Sequence, residues 1–482
     1  MKYKAIILIA LITLVGSCHR SGNESDNLKN TKTEYPDAVN IDLDKIRERG
    51  SLVAIVDNSS TGYFIYKGRP MGYDYDLLKL FSDYLDLPLE IKFTPSIERA
   101  FEMLNNGEGD IIAYSLTVTK ERKERVAFTS RHFTTRQMLV QRKPDNWYEL
   151  TKEGLEKSLI RDQVNLLGKQ VHVRKHSSYI DRLNSLAQEI GGDIIIVEEP
   201  DSVETELLIK NVAEGKIEYT IADETVAIVN ASYYPSIDVK TPISFPQKIA
   251  WAVRPNATEL LREANAWLKK IKKEPTFNVI YNKYFKSTRA STLRAKSDFS
   301  SFGGKSISQY DEYLKEAADS LGWDWRLLAA QMYRESKFDP NVKSWAGAIG
   351  LMQLVPETGR RFGARDLYNP KQNIFAAGNY LQYLDGLWSK TIKDEDERIK
   401  FVLASYNVGL GHVEDARNLA DKYGADPTEW NDNVEKYLLL KSTKEYFTDP
   451  IVNSGYCRGD EPVNYVRDIL LYYEQYKQLI NS

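Results

Sequence analysis

The sequence predicts a multidomain chain, an α/β region followed by a mainly α region, and three observations support it. In the first half, short apolar strands alternate with helices. "SLVAIVD", "LEIKFT" and "DIIAYS" have strand character, while "DYDLLKLFSDYLD" and "IERAFEMLNNGEG" have helical, amphipathic spacing. Such a βαβα rhythm builds layered α/β domains. After residue 307 the strands vanish, and "YDEYLKEAADSLG", "WRLLAAQMYRES", "NIFAAGNYLQYLDGLW" and "RIKFVLASYN" all carry helical periodicity. Between the two regions, "KSTRASTLRAKSDFSSFGGKSIS" is dense in Ser, Thr, Arg and Gly and marks a linker at residues 287–306. At 482 residues the chain also exceeds what one ordinary core accommodates.

The first residues are not part of this fold. "MKYK" is a short basic start, and "AIILIALITLVG" is apolar but too short to span a bilayer comfortably, which is the pattern of a secretory signal. The run ends in "LVGSC", which resembles the bacterial lipobox and implies cleavage before a lipidated Cys18. Several acyl chains, each contributing about 0.8 kcal/mol per buried CH2, would anchor the chain firmly. Residues 19–40, "HRSGNESDNLKNTKTEYPD" and its continuation, form a polar tether. Cys457, the other of the two cysteines, is then left without a disulfide partner. His19 follows Cys18 where many inner-membrane lipoproteins carry aspartate, so the expected location is the outer membrane, facing the periplasm.

Composition excludes some functions. A hydrophobic fraction of 42% and a charged fraction of 28% are those of a soluble globular protein, and a net charge of -3 gives no basic surface for nucleic acid. The 30 tyrosines and 8 tryptophans suit sugar stacking, although any single ring is more simply a core residue. The 5 histidines are scattered and no His/Cys/Asp set has metal-ligand spacing, so no metal or other cofactor is expected.

In the α/β region, "RERGSLVAIVDNSSTGYF", "GYDYDLLKLFSDYL", "GDIIAYSLTVTKERKERVAFTS" and "PISFPQKIAWAVRPN" resemble the family-3 periplasmic solute-binding proteins over residues 41–286. The resemblance implies a two-lobed, periplasmic-binding-protein-like clamp for an amino acid, a peptide or a muropeptide. By its motifs, Arg122 holds a ligand carboxylate, Thr117 adds a hydroxyl, and Asp223 in "GKIEYTIADETVA" accepts from the amino group. Tyr63 or Phe64 flanks the ligand. The alternative for Arg122 is an ion pair with Glu121 or Glu124 on a solvated face. "FTSRHFTT" departs from the family's Ser-x-Pro-aromatic pattern, which leaves the ligand's identity open.

The helical region contains "YRESKFDPNVKSWAGAIGLMQLVP", in which Glu335 closes a helix just before a Gly-rich turn. The negative end of the helix dipole and the apolar neighbours Leu328 and Met332 both disfavour its ionised form. A carboxyl still protonated near neutral pH can protonate a glycosidic oxygen, although many helices end in a solvated Glu.

The motifs around Glu335 resemble the soluble lytic transglycosylase family, in order: "ESKFDPNVKSWAGAIGLMQLVPETGRRFG", "NIFAAGNYL", "ASYNVGLGHV" and "EPVNYV", the last with Pro462 in place of the usual threonine. The resemblance covers residues 307–482 and implies a lysozyme-like α fold that cleaves the MurNAc–GlcNAc β-1,4 bond of peptidoglycan. It makes Glu335 the acid and then the base. Ser344 would orient the sugar, Met352 and Gln353 line the groove, Tyr406 and Asn407 sit beside the glutamate, and Glu461 is a positioning carboxylate. For all but Glu335, a local structural role is an equal alternative.

Neither Asp339 nor Glu357 has a spacing that compels a second catalytic carboxylate. A transglycosylase needs none, because the substrate's own C6 hydroxyl attacks the anomeric carbon and leaves 1,6-anhydro-MurNAc. The whole arrangement resembles that of the membrane-bound type F enzymes, with the first domain regulating the second by lobe closure. A hydrolytic, goose-lysozyme-like muramidase and a non-catalytic solute-binding sensor remain alternatives on the same residues.

Overall fold

The computed structural model describes residues 38–295, 297–301 and 306–480. The signal segment, Cys18 and nearly all of the tether lie outside the described residues.

The α/β region forms two lobes. One is built on a five-stranded sheet ordered Leu89–Phe93, Leu52–Val56, Ile111–Ile112, Ala252–Val253, Ala127–Phe128. The other sheet is ordered Ile195–Glu199, Gln170–Arg174, Tyr219–Asp223, Gln137–Arg142, Ile237–Pro242. All five residues of Leu52–Val56 are buried, as expected of a strand covered by helices on both faces. The helix Tyr73–Leu85 buries Leu77, Leu78, Phe81 and Leu85 against that sheet's core.

The chain crosses between the lobes twice. The crossings pair with each other as an antiparallel ladder of Phe133–Thr135 with Gln247–Ile249. A two-stranded hinge of this kind lets the lobes move while the sheets stay rigid. After the second crossing, Arg254 ties the returning chain to the first lobe. It is fully buried, donates to the carbonyls of Leu104 and Gly109, and pairs with Asp110 at 3.0 Å. Such hydrogen bonds are what make a buried charge tolerable.

The second domain is helical. Its core gathers Asp311–Leu321, Trp325–Ser336, Pro370–Trp388, Glu395–Val408 and the terminal helix Asp460–Leu479. The helix Trp325–Ser336 is buried almost all round and packs along the terminal helix. A helix buried on nearly every side belongs at the centre of a bundle.

The domains meet at a hairpin of the first lobe, Phe64–Tyr66 paired with Arg69–Met71. Ile65 joins the helical domain's core. Gly68, at the hairpin turn, has φ 70°, and a Cβ there would lie 2.1 Å from Phe338 Cε2. The Tyr476 hydroxyl donates to the Gly68 carbonyl at 2.6 Å. Only glycine fits that turn, by backbone conformation and by space.

Candidate active site and ligand cleft

Glu335 lies on the last turn of Trp325–Ser336. The helix ends abruptly because Lys337 and Phe338 both adopt left-handed backbone, at φ 54° and 64°. Each such non-glycine residue costs about 1–2 kcal/mol, and strain of this kind concentrates at functional sites. The reversal sends the chain away and leaves Glu335 half-buried at the helix end. Tyr465, from the terminal helix, donates to Glu335 Oε1 at 2.6 Å and itself accepts from Gln331 Nε2 at 3.1 Å. Burial raises the Glu335 carboxyl to about 7, against the opposing pull of the Tyr465 hydrogen bond and the Arg334 charge; the charge of Glu461 adds to the rise.

Of the other members of the predicted set, Tyr406 and Glu461 act electrostatically with Glu335. Tyr406 feels the Glu335 charge, and its hydroxyl donates to the Met352 carbonyl at 2.8 Å. Asn407 follows it on the same helix, half-buried. Ser344 forms a tight turn: its amide donates to the Ala348 carbonyl at 2.9 Å, and its Oγ accepts from the Ala348 amide at 3.0 Å. As an acceptor here, the Ser344 hydroxyl keeps its own donor capacity. Glu461 opens the terminal helix and is exposed.

Two residues differ from expectation. Met352 does not line a groove; its side chain is 1% exposed and belongs to the domain core. Its turn docks on Asn373, and its backbone is the part that meets Tyr406. Gln353 braces the loop, donating from Nε2 to the Val342 and Gly350 carbonyls at 3.0 and 2.9 Å.

Two functional residues were missed. Tyr465 stands in the quoted motif "EPVNYV", where only the carboxylate drew attention. Asn373 opens "NIFAAGNYL" and is fully buried. Its amide donates to the Ile349 and Leu367 carbonyls and accepts from the Met352 amide, all within 2.9 Å. One side chain thus fixes the turn that follows Ser344.

The first domain holds a cleft between its lobes, a cavity of about 100 Å³ lined by Thr117, Arg122 and Asp223 among others. Tyr63 is not among the lining residues; it is 1% exposed, in the first lobe's core, its ring 5.6 Å from Tyr75. Phe64 is buried in the same core. Arg122 is buried and donates to the Thr117 carbonyl at 3.0 Å and, across the cleft, to the His176 carbonyl at 3.1 Å. Among the described residues Arg122 forms no ion pair with Glu121 or Glu124, the alternative reading of its role, although the Glu121 charge acts on it. Burial raises Asp223 to about 7, with Arg122 opposing. Sequence reasoning also missed Asp57, Arg174, Glu204 and Glu206, which line the same cavity.

Two family profiles match the chain: bacterial extracellular solute-binding proteins, family 3, over residues 52–287, and the transglycosylase SLT domain over residues 312–428. The chain is 37% identical to the membrane-bound lytic murein transglycosylase F of Desulfosudis oleivorans, covering 90% of this chain and 91% of that one. It is 31% identical to the protein of the same name from Pseudomonas fluorescens, covering 90% and 86%. Among solved structures, an ancestral arginine-binding protein bound to arginine is similar over 49% of this chain and 99% of its own, with 23% identity and a TM-score of 0.42. With a solute-binding domain and an SLT domain in one chain, and relatives matched nearly end to end, the chain belongs to the membrane-bound lytic murein transglycosylase F family, lyases of peptidoglycan in the cell envelope.

Proposed function

We propose that the chain cleaves the MurNAc–GlcNAc β-1,4 bond without water, leaving 1,6-anhydro-MurNAc ends, with Glu335 as its single general acid/base. The observation that carries this reading is a half-buried Glu335, held near a pKa of 7 by desolvation and oriented by Tyr465. The protonated carboxyl donates to the glycosidic oxygen as the C1–O bond breaks. The resulting carboxylate then takes the C6 hydroxyl proton while that oxygen bonds to C1, so the proton count returns to its start. The hydrogen bond from Tyr465 supports the carboxylate between the two steps. Among the carboxylates, Glu461 acts on Glu335 but is exposed, which suits positioning better than nucleophilic attack. Ser344, Tyr406 and Asn407 are read as sugar contacts, with Gln353 and the Met352 backbone as their support. Glu335→Gln tests the assignment: loss of cleavage with an unchanged fold supports it, and retained cleavage overturns it.

Residues 41–286 are read as a regulatory clamp for an amino-acid, peptide or muropeptide ligand, residues 287–306 as linker and residues 307–482 as the catalytic domain. One continuous segment supports coupling between the two domains. Asp57, Asn58, Ser59 and Thr61 line the cleft, and a few residues later the same chain forms the hairpin that packs on Phe338. Lobe closure that shifts this segment would shift the turn after Glu335. Calorimetry of Arg122→Ala against the unmodified chain tests the clamp: weakened binding supports it, and unaltered binding argues against it. Cys18 is read as the lipid-bearing residue of an outer-membrane anchor facing the periplasm. Among the described residues no helix is long and apolar enough to cross a membrane.

A further inference from the structure

The cleft of the first domain holds more carboxyl groups than an ordinary amino acid requires. Four carboxylates line it, Asp57, Glu204, Glu206 and Asp223, against the guanidiniums of Arg122 and Arg174. They fall into two groups. Asp223 and Arg122 act on each other. Asp57, Glu204 and Glu206 act on one another, and Asp57 and Glu204 also feel Arg174. The cavity thus has a balanced end, with one acid and one base, and an acidic end, with three acids and one base.

Several of these groups lack partners. Asp223 is 6% exposed and its Oδ1 accepts no hydrogen bond. Arg174 is 5% exposed; its Nε donates to the Asp201 carbonyl at 2.9 Å, while one Nη is unpartnered. Glu206 accepts from the Ser60 amide at 2.9 Å and the Ser60 hydroxyl at 2.5 Å, a bond across the cleft. Among the described residues nothing donates a hydrogen bond to Glu204, and burial with the charges of Glu206 and Asp57 raises it to about 8. A buried polar atom without a partner, such as Asp223 Oδ1, is costly, and the half-buried carboxyls of Asp57, Glu204 and Glu206 disfavour one another's ionisation. A cation supplied by a ligand relieves both.

We propose that the cleft selects a diamino acid, its α-amino-acid head at the Arg122–Asp223 end and a second cationic group, ammonium or guanidinium, at the Asp57–Glu204–Glu206 end. This rests on the reading of the first domain as a ligand clamp, and it narrows the ligand class within that reading. The size agrees. A cavity of about 100 Å³ holds roughly seven to ten water-sized positions, which suits one free amino acid with an extended side chain.

Titration calorimetry of the full chain with L-lysine, L-arginine, L-norleucine and L-glutamate tests this. Norleucine has lysine's straight chain without the ammonium. The expected result is lysine or arginine binding at least tenfold tighter than norleucine, with glutamate weakest. Glu204→Gln should lower the lysine-over-norleucine ratio about tenfold, and Glu206→Gln provides a second variant should the first fold poorly. Asp223→Asn should weaken lysine and norleucine alike. Equal affinity for norleucine and lysine would overturn the diamino inference and leave the amino-acid clamp standing; no binding of any of the four would overturn the inference and the amino-acid form of the clamp reading, leaving a peptide or muropeptide as its only ligands.

Discussion

The Tyr465 hydroxyl donates to Glu335 Oε1 at 2.6 Å, joining residues 130 positions apart and tying the terminal helix to the end of the glutamate helix. The same hydroxyl accepts from Gln331 at 3.1 Å, one helical turn before the glutamate. This relay sets the carboxyl's orientation and moderates its proton affinity.

Replacing that tyrosine should move both properties. The hydrogen bond favours the carboxylate, so Tyr465→Phe should raise the Glu335 pKa above about 7. The alkaline limb of the pH–rate profile should shift to higher pH, while kcat falls roughly tenfold from lost orientation. Leaving buried Gln331 without its partner should also cost about 1–3 kcal/mol, readable by urea unfolding.

The pH dependence of stability follows from the same group. Folding raises Glu335 from its ordinary 4.5 to about 7, so between these values the folded state binds more protons than the unfolded one. Its stabilising effect is complete below about 4.5 and is lost as pH rises through 7. Glu335→Gln should therefore be more stable than the parent at pH 8, by roughly 1–3 kcal/mol, with the gap closing toward pH 4. Melting temperatures of the two proteins across that range check this.

Much of this was legible in the sequence, and the limits have a physical cause. Glu335 could be found because its cues are local: a helical period, a helix end, and motif residues within a few turns. The sheet strands showed in the same way, as short apolar runs. Tyr465, Asn373 and the Gly68–Phe338 contact depend on which distant segments pack together, which no local period encodes. Met352 was placed in the groove, but its side chain is in the core, an orientation that depends on how its turn docks on the distant Asn373. Glu204 and Glu206 carry no motif of their own, and only the approach of the two lobes makes them line the cleft.

Asn373 binds two backbone groups of the turn after Ser344, at Ile349 and Met352, and the carbonyl of Leu367. Asn373→Ala should leave the Met352 amide and the Leu367 carbonyl without partners, the Ile349 carbonyl keeping the Leu354 amide, and destabilise the catalytic domain by about 2–4 kcal/mol. Turnover should fall at temperatures where circular dichroism still reports a folded chain.

The hairpin turn offers a test of coupling outside both sites. A side chain on Gly68 would collide with Phe338 and strain a left-handed backbone. Gly68→Ala should cost about 1–3 kcal/mol. It should alter kcat for glycan cleavage while leaving ligand affinity in the cleft unchanged by calorimetry.

The most direct test of the central claim is mass spectrometry of purified peptidoglycan digested by the unmodified chain and by Glu335→Gln. The unmodified chain should release fragments ending in 1,6-anhydro-MurNAc, and Glu335→Gln should release almost none. Reducing-end MurNAc without anhydro ends, or undiminished release by the variant, would contradict the account.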